Sequence, residues 1–220
     1  MQGDNRFIFR KAGVVRPHAP VKNVLLENGN YLRVSINIDG IPVLIVSTSF
    51  GLVHWMDEMD RHGWRVRLPE GSRVMETGGF KGRSRSVTRE ALYEGIQERL
   101  GIPPSNTVNE YGMTELLSQF YEPVMREGEA DGGPAARRLV GPPWVRTQVL
   151  DPMTLDPVPP GVEGVLCHLD LANVGSAAHV LTEDRGVAVD GGFRVLGRVR
   201  GSESRGCSLA VDDILTSARG

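Results

Sequence analysis

The chain has 220 residues, 40% of them hydrophobic and 24% charged, with a formal charge of −2. Those values suit a globular protein with a substantial core, and they exclude a nucleic-acid binder, because no basic patch with interleaved aromatics accompanies them. No apolar run nears the roughly 20 residues a membrane span needs, and no signal-peptide core follows Asp4, Asn5 and Arg6; a cytoplasmic location is the expectation.

Residues 24–38 read as a hairpin, with two apolar runs flanking Asn28-Gly29, a pair suited to a tight turn. The β-branched run 41–46 predicts a buried strand. Residues 50–59 follow with helical spacing through Val53 and Met56, and Gly63 ends them. Residues 73–77 predict the next strand. Thr88 can cap a helix whose Leu92, Ile96 and Leu100 share one face, and Gly101 and Pro103 stop it. Residues 107–111 predict a third strand, and Leu116, Leu117, Phe120 and Tyr121 recur at helical spacing behind it. Strand and helix thus alternate three times, which predicts α/β units on a parallel sheet. The polar, Gly-rich stretch beginning at Glu127 reads as a linker or mobile loop, set at 127–143. Residues 144–220 read as a β-rich subdomain: 145–150 pairing with 162–169 around a Pro-rich loop, then a turn at Asp190-Gly191-Gly192. The expected organisation is therefore 1–126, 127–143 and 144–220.

The run Asn109-Glu110-Tyr111-Gly112-Met113-Thr114-Glu115 carries the most chemistry. Placed where a strand hands over to a helix, it would offer free backbone N–H groups to an anion. Gly112 allows close backbone approach to a ligand. The Thr114 hydroxyl can donate to a phosphate oxygen, and the Glu115 carboxylate can hold Mg²⁺, a hard cation that takes oxygen ligands. Other combinations fare worse. Cys167 and His168 are neighbours on a predicted strand and point to opposite faces, so they make no nucleophile–base pair. Ser47-Thr48-Ser49-Phe50-Gly51 has serine where a hydrolase elbow needs its first glycine. His54, His62 and His179 lack metal-ligand spacing. Two cysteines, Cys167 and Cys207, form neither a disulfide framework nor a zinc pattern.

Four segments occur in order: 75–85 (Met-Glu-Thr-Gly-Gly-Phe-Lys-Gly-Arg-Ser-Arg), 109–120, 170–175 (Asp-Leu-Ala-Asn-Val-Gly) and 205–209 (Arg-Gly-Cys-Ser-Leu). As a set they resemble the acyl-protein synthetase (LuxE-type, luciferin-component ligase) family of adenylate-forming enzymes, over roughly 42–215. The resemblance implies a partial adenylate-forming core that uses ATP and Mg²⁺ to convert a fatty acid to acyl-adenylate and then passes the acyl group to a thiol. By resemblance Gly78, Gly79 and Phe80 line the adenine pocket. Tyr111, Gly112, Met113 and Thr114 contact the nucleotide, with Glu115 on the metal. Asp184 accepts from the ribose hydroxyls, and Arg198 reaches ribose or phosphate. Cys207 carries the acyl group, with Arg205 and the Gly206 amide able to lower its pKa. Lys81, Arg83 and Arg85 can steer triphosphate.

The implied partners are a carboxylate substrate and an acyl reductase. The Ser/Thr/Gly-rich phosphate loop of such enzymes has no match here, so a separate chain supplying it is a further expectation. A phenylacetate-type ligase with coenzyme A as acceptor, and a non-catalytic nucleotide-binding fragment or subunit, are the alternatives.

Overall fold

A computed structural model describes residues 21–25, 31–35, 41–78 and 87–199. β1 (Val21–Leu25) and β2 (Tyr31–Ser35) pair antiparallel, with Val21 opposite Ser35 and Leu25 opposite Tyr31. This is the expected hairpin, whose Asn28-Gly29 turn lies outside the described residues. Next come β3 (Leu44–Thr48), α1 (Ser49–Arg61), β4 (Arg73–Thr77), α2 (Arg89–Leu100), β5 (Thr107–Tyr111) and β6 (Phe120–Tyr121). The strands of this stretch have the sheet order β3-β4-β5-β6. After a single helical turn, α3 (Val124–Glu127), come β7 (Val145–Leu150), β8 (Glu163–Asp170), β9 (His179–Val189) and β10 (Gly192–Arg198). These four form an antiparallel meander, β10-β9-β8-β7. An α/β part followed by a β-rich part is what the sequence predicts.

The helices form for local reasons. Thr48 and Thr88 are both extended, and each accepts a hydrogen bond from the amide three residues on, Gly51 at 3.0 Å and Ala91 at 3.2 Å. That satisfies one orphan donor at each helix start. It also explains why residues 47–51 resemble an elbow without being one: Thr48 is a cap, and the Ser49 hydroxyl is spent on the buried Glu76 carboxylate. Gly101 closes α2 in the left-handed conformation, φ 72°.

By contact, the chain divides into two compact units. Among the described residues the first comprises 21–25, 31–35, 41–76 and 87–107, and the second 77–78 and 108–199. The core of the first is built from Leu52, Met56 and Met59 of α1 against Leu92, Tyr93 and Ile96 of α2, with Ile45 and Val74 from the strands. Gly95 lets the helices close, since a Cβ there would lie 2.9 Å from Met56 Sδ. The strand predicted as buried is only half-buried at β3. Ile45 is buried, while Leu44 and Val46 are 43% and 46% exposed; β-branched residues suit a half-buried pleat as well as a core.

The core of the second unit gathers Leu116, Phe120, Leu139, Val149, Leu166 and Phe193. Residues 127–143, expected as a linker, lie inside this unit. Leu139 is in its core, and the Arg137 guanidinium is buried between Glu122, 3.1 Å away, and Glu129. Among the described residues, no helix is long and apolar enough to cross a membrane.

Candidate active site

The predicted helix after Glu115 does not form. Residues 112–119 are an irregular loop leading into β6, which pairs antiparallel with β5 through Glu110 opposite Tyr121 and Tyr111 opposite Phe120. The backbone N–H groups expected to await an anion are already bound to one. The amides of Leu117 and Ser118 donate to Asp170 Oδ2 at 3.1 and 2.9 Å, and the Ser118 hydroxyl donates to Oδ1 at 2.9 Å. The helical spacing was misleading because Leu116 and Phe120 enter the core from a loop and a strand, while Leu117 is 71% exposed.

Three sequence-predicted residues come together. The Tyr111 hydroxyl donates to Asp184 Oδ2 at 2.8 Å. Asp184 stands opposite Arg198 in the β9–β10 register, and Arg198 Nε lies 3.3 Å from Asp184 Oδ1. Arg198 Nη2 donates to Glu183 Oε2 at 2.9 Å. The sequence placed Asp184 at a strand–turn edge; it lies inside the eleven-residue β9. Its amide donates to the Thr182 hydroxyl at 3.0 Å, which donates in turn to the Leu166 carbonyl at 2.8 Å. Burial, then the charge of Asp184 and the bond to it, push the Tyr111 phenol above its ordinary range, so it stays a donor. The Tyr111 ring is framed by Phe120, His168 and Phe193, with centroids 5.8, 5.8 and 5.9 Å away.

Thr114 and Glu115 are exposed, and the Thr114 hydroxyl donates to Glu115 Oε2 at 3.1 Å. Among the described residues no hydrogen bond links either of them to Asp184. Met113 packs against the hydrophobic cluster around Leu116 and Phe120. Gly112 runs over the buried Glu110 carboxylate, which accepts from the Thr77 hydroxyl; a Cβ at 112 would lie 2.5 Å from Glu110 Oε1. Gly78 follows β4 with φ 77°. Gly79, Phe80, Lys81, Arg83, Arg85, Arg205, Gly206 and Cys207 lie outside the described residues. A cavity of ≈ 580 Å³ in the second unit has Leu117, Tyr121, Met125, Pro142 and Trp144 in its lining, and none of Tyr111, Thr114, Glu115, Asp184 or Arg198.

Rejecting a Cys167–His168 dyad is consistent with the geometry. Cys167 is half-buried and burial pushes its thiol up. His168 is fully buried, with Nδ1 2.9 Å from the hydroxyl of Thr147, its cross-strand partner. Burial lowers its pKa to about 4 against the opposing pull of Asp170, so it is neutral at pH 7. Its Nε2 has no hydrogen-bond partner among the described residues. Among the described residues no group of three or more His, Cys, Asp or Glu side chains is placed to hold a metal.

Sequence reasoning missed the supports of the motif loop: Asp170, Ser118, Asn173 and Trp144. Asn173 Nδ2 donates to the Glu115 carbonyl at 2.7 Å, and Trp144 Nε1 donates to Ser118 Oγ at 3.0 Å. Residues 170–175 were singled out as a motif, but with no role. The Ser118–Asp170 and Glu115–Asn173 partners lie 52 and 58 positions apart and Trp144 lies 26 from Ser118, beyond anything spacing can reveal.

Comparison with known proteins places the chain. Its fold, strands and helices followed by an antiparallel β-rich part, is of a class also found in part of larger solved structures. A solved structure of McyG A-PCP complexed with phenylalanyl-adenylate aligns over 73% of this chain and 31% of its own, with a TM-score of 0.52 and 14% identity. Within that class the chain belongs to the acyl-protein synthetase, LuxE, family, whose model matches residues 14–216. It is 31% identical over 153 residues to the long-chain-fatty-acid–luciferin-component ligase of Vibrio harveyi, covering 66% of this chain and 38% of the relative. To the protein of the same name from Aliivibrio fischeri it is 23% identical over 163 residues, covering 68% and 40%. The match therefore spans about two fifths of the length of these curated relatives.

Proposed function

We propose that this chain carries part of the active site of an ATP-dependent acyl-protein synthetase. In that reaction a fatty-acid carboxylate oxygen attacks the α-phosphorus of ATP and pyrophosphate leaves. The Cys207 thiolate then attacks the acyl carbonyl of the adenylate, and AMP leaves. The acyl-enzyme would hand its cargo to a reductase. The observation that carries the reading is the joined set Tyr111, Asp184 and Arg198. It is a carboxylate oriented by a phenol and flanked by a guanidinium, suited to accept hydrogen bonds from ribose hydroxyls.

The residues present fit a nucleotide–metal complex. Mg²⁺ is bound through one or two carboxylates alongside substrate phosphates; Glu115 offers one exposed carboxylate, and its only side-chain hydrogen-bond neighbour among the described residues, Thr114, is a donor to it. Glu115 would hold the ion, which when bound neutralises phosphate charge. Thr114 would turn its hydroxyl from Glu115 to a phosphate oxygen. Gly112, with no side chain, would leave the backbone open to the nucleotide while the strand it extends stays fixed by Glu110 and Thr77. Gly78, Gly79 and Phe80 would flank adenine, and Arg198 would stand by ribose or phosphate.

The test is incubation with ATP, Mg²⁺ and labelled long-chain fatty acid, followed by a search for a hydroxylamine-labile label on the polypeptide. The reading expects a label that Cys207→Ser abolishes. Pyrophosphate exchange that survives Cys207→Ser, with an acyl-thioester formed on added coenzyme A, would move the assignment to a coenzyme A ligase. Neither exchange nor label would make this chain a non-catalytic portion.

A further inference from the structure

We infer that Asp170 and Asn173 are positioning residues for Glu115; the inference rests on the reading above, in which Glu115 holds the metal ion. The loop 112–119 has no helix or strand to fix it. One bond, from the Leu116 amide to the Met113 carbonyl at 3.2 Å, is its own. Among the described residues, the remaining backbone anchors come from the opening of one short turn. Asp170, fully buried at the end of β8, accepts the amides of Leu117 and Ser118 and the Ser118 hydroxyl, and also the amide of Ala172 at 3.0 Å. Three residues on, Asn173 donates one amide hydrogen to the Glu115 carbonyl at 2.7 Å and the other to the Ala177 carbonyl at 3.0 Å.

These bonds define the path of the motif. The carbonyl of Glu115 is held on one side and the amides of Leu117 and Ser118 on the other. The main chain is thus held from the Glu115 carbonyl through the Ser118 amide, directly after the residue that bears the carboxylate. Both Asn173 amide hydrogens face carbonyls, so this side chain has one satisfactory orientation. Burial pushes the Asp170 carboxyl up, but the Ser118 hydroxyl and the Ser118, Ala172 and Leu117 amides outweigh it and hold the group below the ordinary carboxylate range. The staple thus remains charged and closed at neutral pH. A shift of about 1 Å in a reacting group can cost on the order of 100-fold in rate, which is why an exposed loop bearing a metal-holding carboxylate gains from a rigid anchor beneath it.

The experiment measures ATP binding to the full chain by calorimetry, in Mg²⁺ and in EDTA, for wild type, Asn173→Ala, Asp170→Asn, Glu115→Gln and Asn173→Ala/Glu115→Gln, with each fold checked by thermal melting. Asn173→Ala is expected to weaken binding about tenfold in Mg²⁺ and less than threefold in EDTA, the scale of losing one charge-assisted contact. In the Glu115→Gln background the same substitution should add less than threefold, because both changes act through one carboxylate. Asp170→Asn keeps the shape of the side chain and should show the same selectivity for the Mg²⁺ condition. Equal weakening with and without Mg²⁺, full additivity in the double variant, or no change at all overturns the positioning role. If wild type binds ATP no better in Mg²⁺ than in EDTA, the reading of Glu115 itself has failed. That outcome is distinct from a wild type that responds to Mg²⁺ and variants that match it.

Discussion

The Tyr111 hydroxyl donates to Asp184 Oδ2 across 2.8 Å, joining the motif to a carboxylate 73 positions further along the chain. Tyr111→Phe keeps the ring among Phe120, His168 and Phe193 and removes the hydroxyl that makes this bond. A hydrogen bond to a charged group contributes about 1.5–3 kcal/mol, so urea denaturation should show a loss of that size. A loss under about 0.5 kcal/mol would mean the carboxylate finds an equal partner in water.

His168 makes stability depend on pH. Its pKa falls from the ordinary 6.5 in the unfolded chain to about 4 in the fold. Between those values the unfolded state binds the extra proton, so stability is complete above pH 6.5 and declines as pH falls toward 4. The full difference is worth about 3 kcal/mol. Thermal melts at pH 7 and pH 5 should therefore differ more for wild type than for His168→Phe, which removes the titrating ring. Equal differences in the two proteins would refute the assignment.

Arg137 is buried against Glu122 and Glu129, with Glu122 equally buried. Arg137→Met takes the guanidinium away from the Glu122 carboxylate, to which the Asn109 amide still donates at 3.0 Å. Removing one partner of a buried pair costs about 3–5 kcal/mol. Adding Glu122→Gln should recover a large share of that loss in denaturant melts, since the unpaired charge is then gone; no recovery would place the cost in packing instead.

Gly112→Ala tests the passage of the motif over Glu110. The new Cβ would lie 2.5 Å from Glu110 Oε1, and that carboxylate is buried and bonded to Thr77. Overpacking of this kind costs about 1–3 kcal/mol. ATP binding should fall together with stability, and Glu110→Ala in the same chain should relieve the crowding. A variant with wild-type melting and ATP affinity would show that the loop adapts freely.

Local rules account for what the sequence revealed. Thr88 and Gly101 announced the ends of α2 because capping is settled within three or four residues. Strand β5 was read correctly at both ends, and Asp190-Gly191-Gly192 gave the last hairpin. Failures arose where distant partners decide. Leu116 to Tyr121 carry helical spacing, yet the amides of Leu117 and Ser118 are taken by Asp170, which a reading of neighbouring residues cannot foresee. β3 was expected to be buried because β-branched residues favour any strand, covered or not. At the site, Tyr111, Asp184 and Arg198 were named by resemblance, and the cross-strand register explains the meeting of the last two. The supporting roles of Asp170 and Asn173 had no signal beyond their membership of a recurring segment.

Trp144 is the one tryptophan of the second unit; Trp55 and Trp64 belong to the first. Its indole N–H is tied to the same Ser118 hydroxyl that Asp170 holds, while its ring is half exposed. The molecule thus carries a built-in optical probe at the foot of the motif. With Trp55 and Trp64 exchanged for phenylalanine, the emission colour and quenching of the remaining indole would track movements of that loop in real time, with no dye attached.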